Sequence, residues 1–286
     1  MVVLKSGLKP GGDLAHIPLN ELVLDIKKRV IRMADVAGGG YVGQGLCSAE
    51  MIGALFFRKL RLDPSNPNNP NRDRFLLSTG HYAISVYAAL AKLGFFKEEL
   101  LDTYSGSGTL LELIGSEVTP GMEIGGGSLG QGLSRGVGHA LAAKMRNHPW
   151  KVYVYMSDGE LEEGQVWEAA MTAAHHELDN LLLIIDFNGY QVDGSIDQIT
   201  SISPLVDKWQ SFNWNVLEIN GNDLDQVMEA LNSVPENRKP TVIISHTIMG
   251  NGISFLHGRD DIHYVKWTKE DTERALRELT QGGNQN

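Results

Sequence analysis

Met156-Ser-Asp-Gly-Glu-Leu-Glu-Glu-Gly164, a helical pattern, then Ile184-Ile-Asp-Phe-Asn-Gly-Tyr190: this stretch decides the fold. Asp158 and Asn188 each stand just past an apolar run of strand length, about thirty residues apart, the span of one strand–helix–strand unit. Neighbouring parallel strands bring such loop tips to one edge of a sheet, where ligands bind. A carboxylate and an amide oxygen there make a hard-oxygen site suited to Mg²⁺, which draws its other ligands from water and phosphate. Taken singly, Asp158 is also a helix cap and Asn188-Gly189 an ordinary turn. Taken together, in order and both at strand ends, they point to a metal–diphosphate.

Outward from this unit the rhythm continues. Val152–Met156 and Leu181–Asp186 read as strands around a helix over Glu163–His175. Downstream come a helix over Pro204–Phe212, a strand over Val216–Ile219, a helix over Leu224–Val234 and a strand over Thr241–Ser245. Upstream, Leu22, Ile26, Val30, Ile31 and Met33 mark a helix over Asn20–Ala37 that Gly38-Gly39-Gly40 ends. Ser48–Leu60 reads as a second helix, 63–71 as loop, Phe75–Ser78 as a strand and Ala83–Leu93 as a helix. Glycine-dense Gly125–Gly138 leads into a helix over Val137–Met145. The alternation predicts an α/β fold, a mostly parallel sheet with helices on both faces. It also predicts one domain over 20–280, a surface arm over 1–19 and a disordered polar tail over 281–286.

With 286 residues, 42% of them hydrophobic, the chain can bury one large core. Its formal charge of −10 makes it a poor match for nucleic acid. A diphosphate remains possible where a cation and helix N-termini supply local positive charge. A single cysteine, Cys47, excludes an internal disulfide framework and reads as a buried small hydrophobe. The N-terminus lacks a signal-peptide layout, and no apolar run approaches the ~20 residues that span a bilayer. The expectation is a soluble protein of a reducing cytoplasm, with no membrane contact.

Three further features bear on chemistry. Gly125-Gly-Gly-Ser-Leu-Gly-Gln-Gly132 opens a helix with free backbone N–H groups, but no lysine follows, which disfavours a nucleotide triphosphatase. His81 follows a strand and is either a cleft histidine or a capping, packed one; His263 lies in a polar loop that on composition is exposed. Glu160, Glu162, Glu163 and Glu168 crowd a helix start, either to complement its dipole or to face a partner and share protons.

Asp158-Gly-Glu-x-x-Glu163-Gly-Gln-x-Trp-Glu168-Ala-Ala, Leu178-Asp-Asn-Leu and Asp186-x-Asn188-Gly-x-x-x-Asp193-Gly resemble the thiamine-diphosphate signature of transketolases. Leu77-Ser-x-Gly-His81, Thr119-Pro-Gly-x-Glu123, Gly127-Ser-Leu-Gly-Gln-Gly132 and Pro204-Leu-x-Asp-Lys-Trp209 extend the resemblance in order from about residue 20 to 278. It concerns the N-terminal, diphosphate-binding half alone, which implies one subunit of a split enzyme. The resemblance implies that Asp158 and Asn188 side chains and the Tyr190 carbonyl ligate Mg²⁺ or Ca²⁺. It implies that His81, Gly159 and His263 contact the diphosphate or substrate, and that Gly127 and Leu129 offer backbone groups to the aminopyrimidine. Glu163 and Glu168 match residues that link two active sites across a dimer interface. The implied activity is transfer of a two-carbon ketol unit between sugars, with a separate pyrimidine-binding subunit in an α2β2 heterotetramer and no turnover by the single chain. A 2-oxo acid decarboxylase or acyloin-forming subunit, or a non-catalytic partner of a full transketolase, are the alternatives.

Two departures stand out. The family's Gly-His-Pro-Gly reads Gly40-Tyr41-Val42-Gly43, so Tyr41 replaces a substrate-binding histidine. Leu111–Glu117 lacks a second such histidine. A less polar pocket and an unusual donor are expected.

Overall fold

The structure, a computed structural model, describes residues 8–282. The helices and strands of interest are α1 (Leu19–Ala37), α2 (Val42–Cys47), α3 (Ala49–Ala54), β1 (Arg74–Leu77), α4 (Ala83–Leu93), α5 (Gly132–Met145), β2 (Val152–Ser157), α6 (Gly164–His175), β3 (Leu181–Phe187), α7 (Leu205–Ser211), β4 (Asn215–Asn220), α8 (Leu224–Asn232), β5 (Thr241–His246) and α9 (Lys269–Gly282). The five strands form one parallel sheet in the order β1-β2-β3-β5-β4.

The strands read as unbroken apolar runs because the sheet is covered on both sides. Successive residues point to opposite faces, and the core divides accordingly. Val152, Val154, Leu183 and Ile185 pack against α5, α6 and α7. Tyr153, Tyr155, Leu182 and Ile184 join the larger core formed with α1–α4, α8 and α9. In register, Ser157 of β2 lies opposite Asp186 of β3, so the loops after these strands leave the sheet side by side. α8 starts under an Asp223 cap whose carboxylate accepts from the Asp225 and Gln226 N–H groups.

Two expectations need correction. The helix expected over Ser48–Leu60 begins earlier, as α2, and ends in a π-helical turn over Leu55–Lys59. The helix expected from Val137 begins at Gly132. Both early starts are glycine-bearing, and each glycine costs a helix about 1 kcal/mol relative to alanine. Packing decides instead: a Cβ on Gly45 would lie 2.6 Å from Ile84, and one on Gly132 would lie 2.2 Å from the Ser78 hydroxyl. Gly38 ends α1 in a left-handed conformation as expected, but Gly39-Gly40 then pair antiparallel with Val265–Lys266. Of the expected arm, 1–7 lie outside the described residues; Leu14 and Ile17 pack on the core. Of the expected tail, Gln281 and Gly282 belong to α9, and 283–286 lie outside the described residues. Among the described residues no helix is long and apolar enough to cross a membrane.

Candidate active site

The loops after β1, β2 and β3 meet the glycine loop at the carboxyl edge of the sheet. Asp158, directly after β2, is fully buried. Its Oδ1 accepts the Gly159 N–H at 2.9 Å and its Oδ2 accepts the Gly189 N–H at 2.6 Å. That second bond crosses from one loop tip to the other and brings Asn188 beside Asp158. Burial pushes the Asp158 carboxyl up to about 7, with the Asp186 carboxylate adding to the rise and the backbone N–H groups of Gly189, Gly159 and Asp158 opposing it.

Asn188 is held at three points. Its Nδ2 donates to the Tyr82 hydroxyl at 2.9 Å and to Asp186 Oδ1 at 3.3 Å, and its Oδ1 accepts the Tyr190 N–H at 3.0 Å. A carboxylate accepts only, so Asp186 fixes which way the amide faces. Asp186 itself is fully buried and also accepts from the Tyr155 hydroxyl at 2.6 Å and the Thr247 hydroxyl at 2.7 Å. Cys47 is buried as expected, and its thiol lies 3.6 Å from Asp186 Oδ2. Burial raises the Asp186 carboxyl and pushes the Cys47 thiol well up.

Glu160 departs from both readings of the acidic cluster. It is fully buried, and its carboxylate accepts from the Ser78 and Thr79 hydroxyls after β1 and from the Gly130 N–H of the glycine loop at 2.7 Å. It ties three loops together. Glu163 and Glu168, by contrast, are exposed around the start of α6.

These loops frame a cavity of about 350 Å³ lined by His81, Leu129, Gly159, Asn188, Tyr190 and His263, among others. His81 proves to be both a cleft and a packed histidine: its ring meets Tyr41 edge-on at 4.5 Å and His263 at 5.4 Å. Burial, helped by His263, pushes His81 down to about 4, and burial also lowers His263. Both imidazoles are therefore neutral near pH 7. The expectation of an exposed His263 is incorrect; it is half-buried, because the loop after β5 folds back over α2. Tyr41 also meets His263 and Tyr264 edge-on, and burial raises its hydroxyl above the usual tyrosine range. Gly127 is exposed beside open space, and Leu129 reaches the cavity wall. The segment without the second histidine presents Ile114 to Gly80 and Leu113 to Gly40.

The residues present fit a hard divalent cation. One carboxylate, one amide oxygen oriented by its neighbours and the adjacent Tyr190 carbonyl are all oxygen donors. Among the described residues no cluster of three His, Cys, Asp or Glu side chains could hold a metal unaided, so a ligand-borne phosphate suits the remaining positions. The ring nitrogens His81 Nδ1 and His263 Nε2 are buried without a protein partner, and both residues line this cavity.

Residues 20–284 match the family described as transketolase, thiamine diphosphate binding domain. The chain belongs to the transketolase family. It is 41% identical over 260 residues to the 6-deoxy-6-sulfo-D-fructose transketolase subunit SqwG of Clostridium sp. (strain MSTE9), a match covering 90% of this chain and 94% of that protein. It is 42% identical over 271 residues to an apulose-4-phosphate transketolase subunit of Actinobacillus succinogenes, covering 93% and 98%. The solved transketolase of Campylobacter jejuni superposes with a TM-score of 0.86 at 28% identity, covering 92% of this chain and 42% of that one. The chain thus spans about two fifths of the length of that transketolase but nearly all of the two subunits. The thiamine-diphosphate-binding fold, with its sheet and two helical layers, is the one expected from the transketolase motifs.

Sequence reasoning missed Glu160, Tyr82, Asp186 and Gln44 as parts of the site. Asp186 reads as the last residue of a strand, and Gln44 sits between glycines in a stretch with no role legible in the sequence. Only the acidic position of Asp186 in an apolar strand hinted at a buried polar network.

Proposed function

We propose that the chain is the diphosphate-binding subunit of a split transketolase, a transferase moving a two-carbon ketol unit between sugars with thiamine diphosphate and Mg²⁺ (or Ca²⁺). The supporting observation is the Asp158–Gly189 bond, which sets a carboxylate and an oriented amide oxygen at adjacent strand ends. In this reading Asp158, Asn188 Oδ1 and the Tyr190 carbonyl hold the cation. Gly159, His81 and His263 take the diphosphate or substrate, and backbone groups of Gly127 and Leu129 meet the aminopyrimidine. When bound, thiamine diphosphate supplies the acidic carbon and electron sink that protein side chains lack.

The chain's own part is orientation, dryness and proton handling. Neutral His81 and His263 can each donate one hydrogen bond and accept another at a substrate oxygen. Exposed Glu163 and Glu168 face outward, where a second active site would lie across a dimer interface. The partner is a pyrimidine-binding, C-terminal transketolase-like subunit in an α2β2 assembly; the naming of near relatives as transketolase subunits supports this. Buried Cys47, the only cysteine, suits a reducing cytoplasm.

The donor is a modified or branched ketose. Tyr41 in place of histidine, with Leu113 and Ile114 nearby, removes two polar contacts. The sulfo-sugar and apulose names of near relatives support a non-standard donor. Reconstitution with the partner subunit, cofactor and Mg²⁺, followed by a donor screen, tests this. Transfer is expected from modified ketoses and little from xylulose 5-phosphate. Full activity on xylulose 5-phosphate would overturn the donor assignment, and cofactor binding without transfer from any sugar would overturn the activity.

A further inference from the structure

Gln44 lies on α2, three residues after Tyr41, and is only 2% exposed. It lines the same cavity as His81 and His263. Its Nε2 donates to the His263 carbonyl oxygen at 3.0 Å. A carbonyl cannot donate, so the atom facing it must be the amide nitrogen, and the orientation of this amide is settled. The same Nε2 lies 3.4 Å from His263 Nδ1. An NH₂ group offers only hydrogens, so Nδ1 carries the lone pair and the ring proton sits on Nε2.

That leaves two buried groups without protein partners: Gln44 Oε1, which only accepts, and His263 Nε2, now a donor. Buried polar groups are nearly always satisfied, by protein, ordered water or ligand, and a hydroxylated ligand in the adjoining cavity can bring the complement to each. Carboxylate, sulfonate and ionised phosphate oxygens only accept, so none of them can satisfy Gln44 Oε1. A hydroxyl can, and it can also accept from a neighbouring N–H.

We propose that Gln44 is a donor-selecting residue. Its carbonyl accepts a hydroxyl of the donor sugar, and its NH₂ group sets His263 as the Nε2–H tautomer that donates to a nearby substrate oxygen. This rests on the ketose-transfer reading and narrows it: the donor is hydroxylated where it passes α2, which disfavours 2-oxo acids without a hydroxyl. Gln44 thereby restores part of the polarity lost at Tyr41, so the pocket is more polar than the sequence alone suggests.

Nitrogen-15 NMR of the histidine-labelled chain, with His263 assigned by its loss in His263→Asn, reads the tautomer without any turnover. A protonated Nε2 and bare Nδ1 are expected; the opposite pattern overturns the tautomer assignment. With the reconstituted pair, donors deoxygenated one position at a time are compared on wild type and Gln44→Met. Gln44→Met should lower kcat/KM about 10- to 100-fold on the parent donor, yet change it about twofold or less on the one analogue lacking the matching hydroxyl. An equal loss on every donor overturns the hydroxyl contact. Absence of all ketol transfer by wild type overturns the functional reading and that contact together, while the tautomer result stands apart. Gln44→Glu supplies a second variant of the same shape: unable to donate, it should shift the His263 proton to Nδ1.

Discussion

His81 shows how one residue's setting fixes its chemistry. Wedged edge-on against Tyr41 and beside His263, its ring is pushed down to about 4, far below the ordinary value of 6.5. The unfolded chain therefore binds a proton at His81 between pH 6.5 and 4 while the folded chain does not, and stability rises with pH across that window. Contributed stability is intact above 6.5 and is lost as pH falls toward 4. A His81→Phe variant should show a shallower fall in Tm between pH 7 and 4.5 than wild type; parallel profiles in scanning calorimetry would contradict the assignment. Legibility at this scale was uneven. Asp158 and Asn188 stand out only as a pair at two successive strand ends, His81 only as one of two readings, and Tyr41 only through the family resemblance. Gln44, Tyr82, Asp186 and Glu160 do not, because a buried hydrogen-bond partner is defined by what crosses it in space, not by its neighbours in sequence.

Among the elements, Glu160 carries the order of the site. One carboxylate binds the loop after β1 and the glycine loop to the 3₁₀ turn after β2. Glu160→Ala strands two hydroxyls and a backbone N–H in a buried place and should cost about 2–4 kcal/mol. Glu160→Gln, which keeps the shape and one carbonyl acceptor, should cost less. Denaturant unfolding of the three proteins checks the order, and equal midpoints would contradict it. The strands and most helices could be read from periodicity, with ends off by a residue or two. The starts of α2 and α5 could not, since glycines, poor helix formers by propensity, serve there as flat packing surfaces against Ile84 and Ser78.

Across the whole molecule, unbroken apolar strands separated by helices were enough to give the covered parallel sheet and to place the site at its carboxyl edge. The opening of the cavity is another matter. Val192 is 70% exposed and Ile199 46%, and both line it beside exposed Tyr190. Such a rim leaves an apolar ligand half-wet and suits a second surface laid over it. The single chain should therefore show no ketol transfer and bind cofactor at least about tenfold more weakly than the reconstituted pair. Calorimetric titration with and without the partner measures this, and turnover by the chain alone would contradict it.

The central claim is that the loop tips after β2 and β3 together hold the cation that anchors a diphosphate. A crystal structure of the chain with its partner, Mg²⁺ and thiamine diphosphate tests that most directly. The account predicts one ion bonded to Asp158, Asn188 Oδ1, the Tyr190 carbonyl and diphosphate oxygens at about 2.0–2.1 Å. Those oxygens turned away from the diphosphate, with the ion bound elsewhere, would contradict it.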